Sequence, residues 1–88
     1  MNRTISSQDI AVTVATVIGE TFFIDPSLVT RSTRAVDVDG WDSLSHTVLM
    51  IRLEKRLGFS ISDRIAAKAT DVGELIDLLC VEASGYQP

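Results

Sequence analysis

A single cysteine, Cys80, rules out an intrachain disulfide and fits a reducing compartment. One histidine and one cysteine are too few for a zinc site. Only five glycines are present, and none falls into a Walker-type or dinucleotide-type pattern, so no phosphate-cradling loop is expected. No apolar run is long enough to span a membrane, and none follows a basic start, so neither a membrane span nor a signal peptide is expected. The location this predicts is the cytoplasm. Basic residues are outnumbered, 8 Lys and Arg against 12 Asp and Glu, and the net charge of −4 argues against a sequence-independent nucleic-acid binder. Internal repeats and low-complexity tracts are also missing. What remains is a chain of 88 residues, 45% hydrophobic and 23% charged, which is the composition of one small globular domain spanning 1–88.

Apolar spacing divides the chain into helices. After a polar start at 1–6, Ser6-x-x-Asp9 resembles a capping box, and Ile10, Val14, Val17, Ile18 and Phe22 recur at helical spacing over roughly 7–23. The β-branched content of this stretch suits a strand, but the apolar period is closer to 3.6 than to 2. Asp25-Pro26 stops the helix. Residues 24–41 read as a long structureless loop, tacked onto the core by Leu28, Val29, Val36, Val38 and Trp41. A loop of this length in so small a domain is often functional. Arg31 and Arg34 read as solvated loop charges, with a phosphate or partner contact as the alternative.

Asp42 and Ser43 are both good N-cap residues, and a helix follows from Ser43 to about Leu57, closed by Gly58. If Asp42 is the cap, the Ser43 hydroxyl is free to face solvent at the positive end of the helix dipole, where a phosphate is tolerated. If the pair is only a cap, nothing more follows. On a wheel of about 100° per residue, His46, Leu49, Met50, Leu53 and Leu57 share one side. Leu44, Val48, Ile51 and the stem of Lys55 share the opposite side. A helix in a two-layer domain buries one stripe. The wider stripe is therefore core, and the narrower one is a docking surface beside Ser43, unless the loop 24–41 folds over it. Arg52, Lys55 and Arg56 make the end of this helix basic, which suits the dipole or an acidic partner.

Ser62 is placed as the cap of a short helix, Asp63 to about Lys68. Thr70 is placed as the cap of a last helix, with Asp71 in its first turn and Val72, Leu75, Ile76, Leu79, Cys80 and Ala83 on its apolar stripe. Cys80 then reads as a buried small hydrophobe. Residues 84–88 read as a tail, leaving an ordered core of about 6–83. The fold expected is all-α: a small four-helix bundle of three main helices and one short one. Catalytic residues are not expected. Ser43 and His46 are three apart, but His46 projects to the core, Asp42 is occupied with the helix end, and no glycine elbow surrounds the serine. His46 reads as a satisfied, half-buried histidine.

Gly40-Trp41-Asp42-Ser43-Leu44 resembles the G-x-D-S-L signature of acyl carrier proteins and the related peptidyl carrier domains. The resemblance covers nearly the whole chain: Ile24-Asp25-Pro26 after the first helix, the long loop, Leu53 to Ile61, and the final Thr70-Asp71-Val72-Gly73-Glu74-Leu75 start. It implies that Ser43 carries 4′-phosphopantetheine as a phosphodiester, installed from coenzyme A by a phosphopantetheinyl transferase that Asp42 helps through a metal. It further implies a carrier, not an enzyme, that holds an acyl group as a thioester and delivers it to acyl-activating or acyl-transferring enzymes. Leu44, Val48, Ile51, Arg52 and Lys55 form the docking face in this reading, and the domain works as a monomer. Val48, Lys55 and Arg56 stand where bacterial fatty acid carriers are often acidic. Trp41 and His46 are more like discrete carriers of polyketide, nonribosomal peptide or sugar-modification pathways. Without the G-G-x-S pattern of peptidyl carriers, acyl cargo is preferred over aminoacyl cargo. An unmodified interaction module of the same fold is the remaining alternative. Met50, Leu53, Ile61 and Ile76 line either a cavity for the acyl chain or an ordinary core.

Overall fold

The computed structural model describes residues 6–85, so the polar start at 1–5 and the end of the tail at 86–88 lie outside the described residues. It is all-helical, with α1 at Ser7–Phe22, α2 at Ser43–Leu57, α3 at Asp63–Lys68 and α4 at Val72–Gly85. α4 thus runs two residues into the expected tail. α1 packs against both α2 and α4, and α3 against α4. Among the described residues no helix is long and apolar enough to cross a membrane.

The Ser6 hydroxyl accepts the Asp9 N–H at 3.0 Å and starts α1. Ile10, Val14, Val17 and Ile18 are buried, so the 3.6-residue period prevails over the β-branched composition. The helix ends on Phe23, which has φ 60°. The chain then doubles back tightly. A Cβ on Gly19 would lie 2.7 Å from the Ile24 carbonyl oxygen and 2.9 Å from Pro26 Cγ, so only glycine allows this return.

The segment 24–41 is not structureless. It holds two 3-10 helices, Pro26–Leu28 and Ala35–Asp37. Each is nucleated by a carboxylate: Asp25 accepts the Ser27 N–H at 2.9 Å, and Asp37 accepts the Arg34 N–H at 2.9 Å. Two of the residues expected to tack this loop down do not. Leu28 is 70% exposed and Val36 80%. The inward positions go to Val29 and Val38, the residues just after each turn, and to Trp41. Backbone bonds add to this: the Thr33 carbonyl accepts the Val72 N–H at 2.9 Å, and the Arg31 carbonyl accepts the Gly73 N–H at 2.8 Å. A Cβ at position 73 would sit 3.0 Å from both the Cβ and the carbonyl oxygen of Arg31, so glycine permits this close approach.

α2 ends on Gly58 in the left-handed conformation. Glu54 then reaches past it to accept the Ile61 N–H at 2.7 Å, fixing the turn toward α3, which Ser62 caps. At α4 the cap is one residue later than expected. Asp71 accepts the Glu74 N–H at 2.8 Å, while Thr70 donates both its N–H and its hydroxyl to the Glu74 carboxylate. The carboxylate of Asp71 sits in N-cap register, and the Glu74 side chain turns back to serve Thr70. Met50, Leu53, Ile61 and Ile76 are all buried within the core cluster, as packed core residues. Cys80 lies half-buried at its edge, where burial pushes the thiol pKa up, reinforced by the charge of Asp77.

Candidate functional site

The start of α2 is built by Asp42 and Ser45. The Asp42 carboxylate accepts the Ser45 N–H at 3.0 Å, and the Ser45 hydroxyl accepts the Asp42 N–H at 2.8 Å. This reciprocal box uses serine where glutamate is common. The Ser45 hydroxyl donates to the Gly40 carbonyl at 2.7 Å, which ties the helix start to the preceding turn. The Ser45 N–H and, next, its hydroxyl hold the Asp42 carboxyl below the usual aspartate range.

Ser43 therefore has no capping duty. It is exposed, and its hydroxyl makes no hydrogen bond to any described residue. Its backbone carbonyl accepts from Thr47. Of the two serines in this turn, Ser45 is locked and Ser43 is open. The Asp42-x-x-Ser45 spacing is the one sign of that difference in the sequence. A phosphate ester on Ser43 fits this arrangement: the oxygen is free, solvent surrounds it, and the helix dipole favours negative charge there.

His46 lies on the core side, half-buried, as expected. The Trp41 indole N–H donates to its Nδ1 at 3.0 Å. Nδ1 must accept, so Nε2 carries the proton and donates to the Ala66 carbonyl at 2.9 Å. Both ring nitrogens are thus engaged away from Ser43, and neither is available as its base. Trp41 also stacks on Phe22, with centroids 5.1 Å apart. A shallow recess of about 50 Å³ adjoins Trp41 and His46, lined also by residues that include Thr33, Thr70 and Leu75.

The opposite side of α2 is open. Leu44 is 77% exposed, Ile51 47% and Val48 38%, and the loop 24–41 does not cover them. Arg52 and Lys55 are exposed on the same helix. Arg52 reaches the Thr21 hydroxyl at 3.4 Å, whereas Arg56 is paired with Glu20 of α1 at 2.7 Å. The two loop arginines stand apart from this region. Arg31 pairs with Asp77 of α4 at 2.7 Å, and Arg34 lies 3.8 Å from Asp37.

Fold and site together define a small helical domain that presents one free serine at the start of its second helix, beside an exposed apolar stripe. No family model matches the chain. It is similar to acyl carrier protein MbtL of Mycobacterium bovis and to that of Mycobacterium tuberculosis, in each case 33% identical over 72 residues, which is 82% of this chain and 86% of the relative. MbtL of a further Mycobacterium species is 27% identical over 73 residues, 83% of this chain and 82% of that protein. The chain belongs to the acyl carrier protein family. Members of that family carry a phosphopantetheine arm on a serine.

Proposed function

We propose that this protein is an acyl carrier whose Ser43 bears 4′-phosphopantetheine, and that it delivers an acyl group to partner enzymes of a specialised biosynthetic pathway in the cytoplasm. The observation that carries this reading is the exposed, unbonded hydroxyl of Ser43, freed because Asp42 and Ser45 cap the helix by themselves. The relatives named acyl carrier protein support it. On attachment, a bond forms from Ser43 Oγ to phosphorus as the pyrophosphate of coenzyme A breaks. Adenosine 3′,5′-bisphosphate leaves, and the hydroxyl proton passes to the transferase. The arm supplies a terminal thiol that holds the cargo as a thioester.

The residues of this chain position and present. Asp42 orients the helix start and faces the transferase. Leu44, Val48 and Ile51, with Arg52 and Lys55 at the rim, give partners a small apolar face, which suits the weak, transient contact that a shuttle needs. The domain itself performs no chemistry.

Intact mass, measured before and after incubation with a broad-specificity phosphopantetheinyl transferase and coenzyme A, tests this. One phosphopantetheine on the wild type and none on Ser43→Ala is the expected result. No addition to folded wild type by several transferases would leave an unmodified interaction module instead.

A further inference from the structure

Phe23 is the anomaly of this surface. It ends α1 with φ 60° and ψ 45°, a left-handed conformation in which a bulky side chain is an outlier. Gly58 ends α2 in the same region with the residue that the geometry favours. The backbone bonds of the helix end hold this conformation, the Phe23 and Ile24 N–H groups both donating to the Gly19 carbonyl, but they leave Phe23 92% exposed, with no packing of its side chain to account for a bulky residue here. The last turn of α1 lies along α2: Glu20 pairs with Arg56, Thr21 meets Arg52, and Phe22 stacks on Trp41 just before Ser43. Phe23 follows directly, two residues after the Thr21 that Arg52 of α2 reaches. Arg56 has its carboxylate, but Arg52 meets only a hydroxyl, and Lys55 has no partner among the described residues.

We propose that Phe23, Arg52 and Lys55 extend the docking face across the end of α1, and that partner enzymes receive the Phe23 ring in an apolar hollow rimmed by carboxylates. This rests on the carrier reading of the α2 face and names the partner chemistry it selects. Aromatic side chains seated in a pocket of the partner, and arginines, commonly dominate an interface, and the two cations without a carboxylate partner call for acidic groups opposite them.

Two synthetic amphipathic helical peptides with one shared leucine face, flanked by glutamates in one and by lysines in the other, probe this on the full-length ¹⁵N-labelled protein by NMR titration. The glutamate peptide should bind in preference, shift the resonances of 21–23 and 48–55, and weaken as salt is raised. Phe23→Gly should weaken it by at least about fivefold while keeping or raising the melting temperature. Arg52→Glu with Lys55→Glu should reverse the peptide preference. Equal binding of both peptides, undiminished binding by Phe23→Gly, or a lowered melting temperature in that variant would overturn the proposal. So would concentration-dependent self-association of the wild type that Phe23→Gly abolishes, because a second copy would then occupy the face. Phosphopantetheine addition to Ser43 is read by mass on the same samples. A chain that is modified yet shows no peptide preference keeps the carrier function and loses only this assignment.

Discussion

Among the described residues two α-helices begin on an aspartate, and the two beginnings have opposite fates. At α2, Asp42 takes the Ser45 N–H, and the next residue, Ser43, is exposed with its hydroxyl unused. At α4, Asp71 takes the Glu74 N–H in the same way, but the next residues, Val72 and Gly73, are buried and donate their N–H groups to the Thr33 and Arg31 carbonyls of the long loop. The capping chemistry is shared. What separates the two is cover: the loop 24–41 closes over the start of α4 and leaves the start of α2 open. A capped helix end becomes a place of attachment only where no other segment has claimed it.

The largest effect expected from this comparison is all-or-none. Val72→Ser gives α4 the same Asp-Ser beginning as α2. In a Ser43→Ala background, incubation with transferase and coenzyme A should add no mass to that variant, since position 72 is covered. Any addition at α4 would break the comparison. Burying the new hydroxyl should also cost about 1–3 kcal/mol.

Next in size is Gly73→Ala, which pushes a methyl group against Arg31 and separates the loop from α4. A loss of about 1–3 kcal/mol is expected, at roughly 4–8 °C of melting temperature per kcal/mol for a domain of this size. A calorimetric melt checks it, and phosphopantetheine addition at Ser43 should persist below the new melting temperature.

The smallest effect is on pH dependence. The Asp42 carboxyl is held below its ordinary value in the fold, so its contribution to stability is full above about pH 4 and disappears as pH falls through the lowered value. Asp42→Asn should therefore flatten the acid limb of a stability profile followed by circular dichroism, by lowering stability slightly at neutral pH and changing it little below the lowered value.

Much of α2 was legible in the sequence. Its period, its aspartate cap, its glycine end and its two apolar faces all follow from local spacing, and local spacing is what a single sequence displays. The start of α4 is open by one residue in the sequence, because Thr70 and Asp71 are both competent caps. Only the turned-back Glu74 side chain decides between them. The loop was harder. Part of its attachment runs through backbone groups of residues 31, 33, 72 and 73, and backbone bonds leave no trace in side-chain pattern. Gly73, a glycine within an otherwise apolar helix start, was the one visible hint. Leu28 and Val36 looked like anchors because they are apolar, yet a turn of three residues directs its successor inward, and Val29 and Val38 take that place. At the site, the open state of Ser43 was legible from Asp42. The role of Phe23 was not, since a positive φ cannot be seen in a residue type that seldom adopts one.

Trp41 is the sole tryptophan of the sequence. Its ring rests on Phe22 of α1, and its N–H binds His46 of α2, which in turn holds Ala66 of α3. Two helices thus meet on one indole, two residues before the serine, and a third joins through the imidazole. Indole emission changes in colour and yield with solvent contact and with the approach of an imidazole. The protein consequently carries its own dye-free optical gauge, and a loosening of this joint when cargo is loaded or a partner arrives would register as a change in fluorescence.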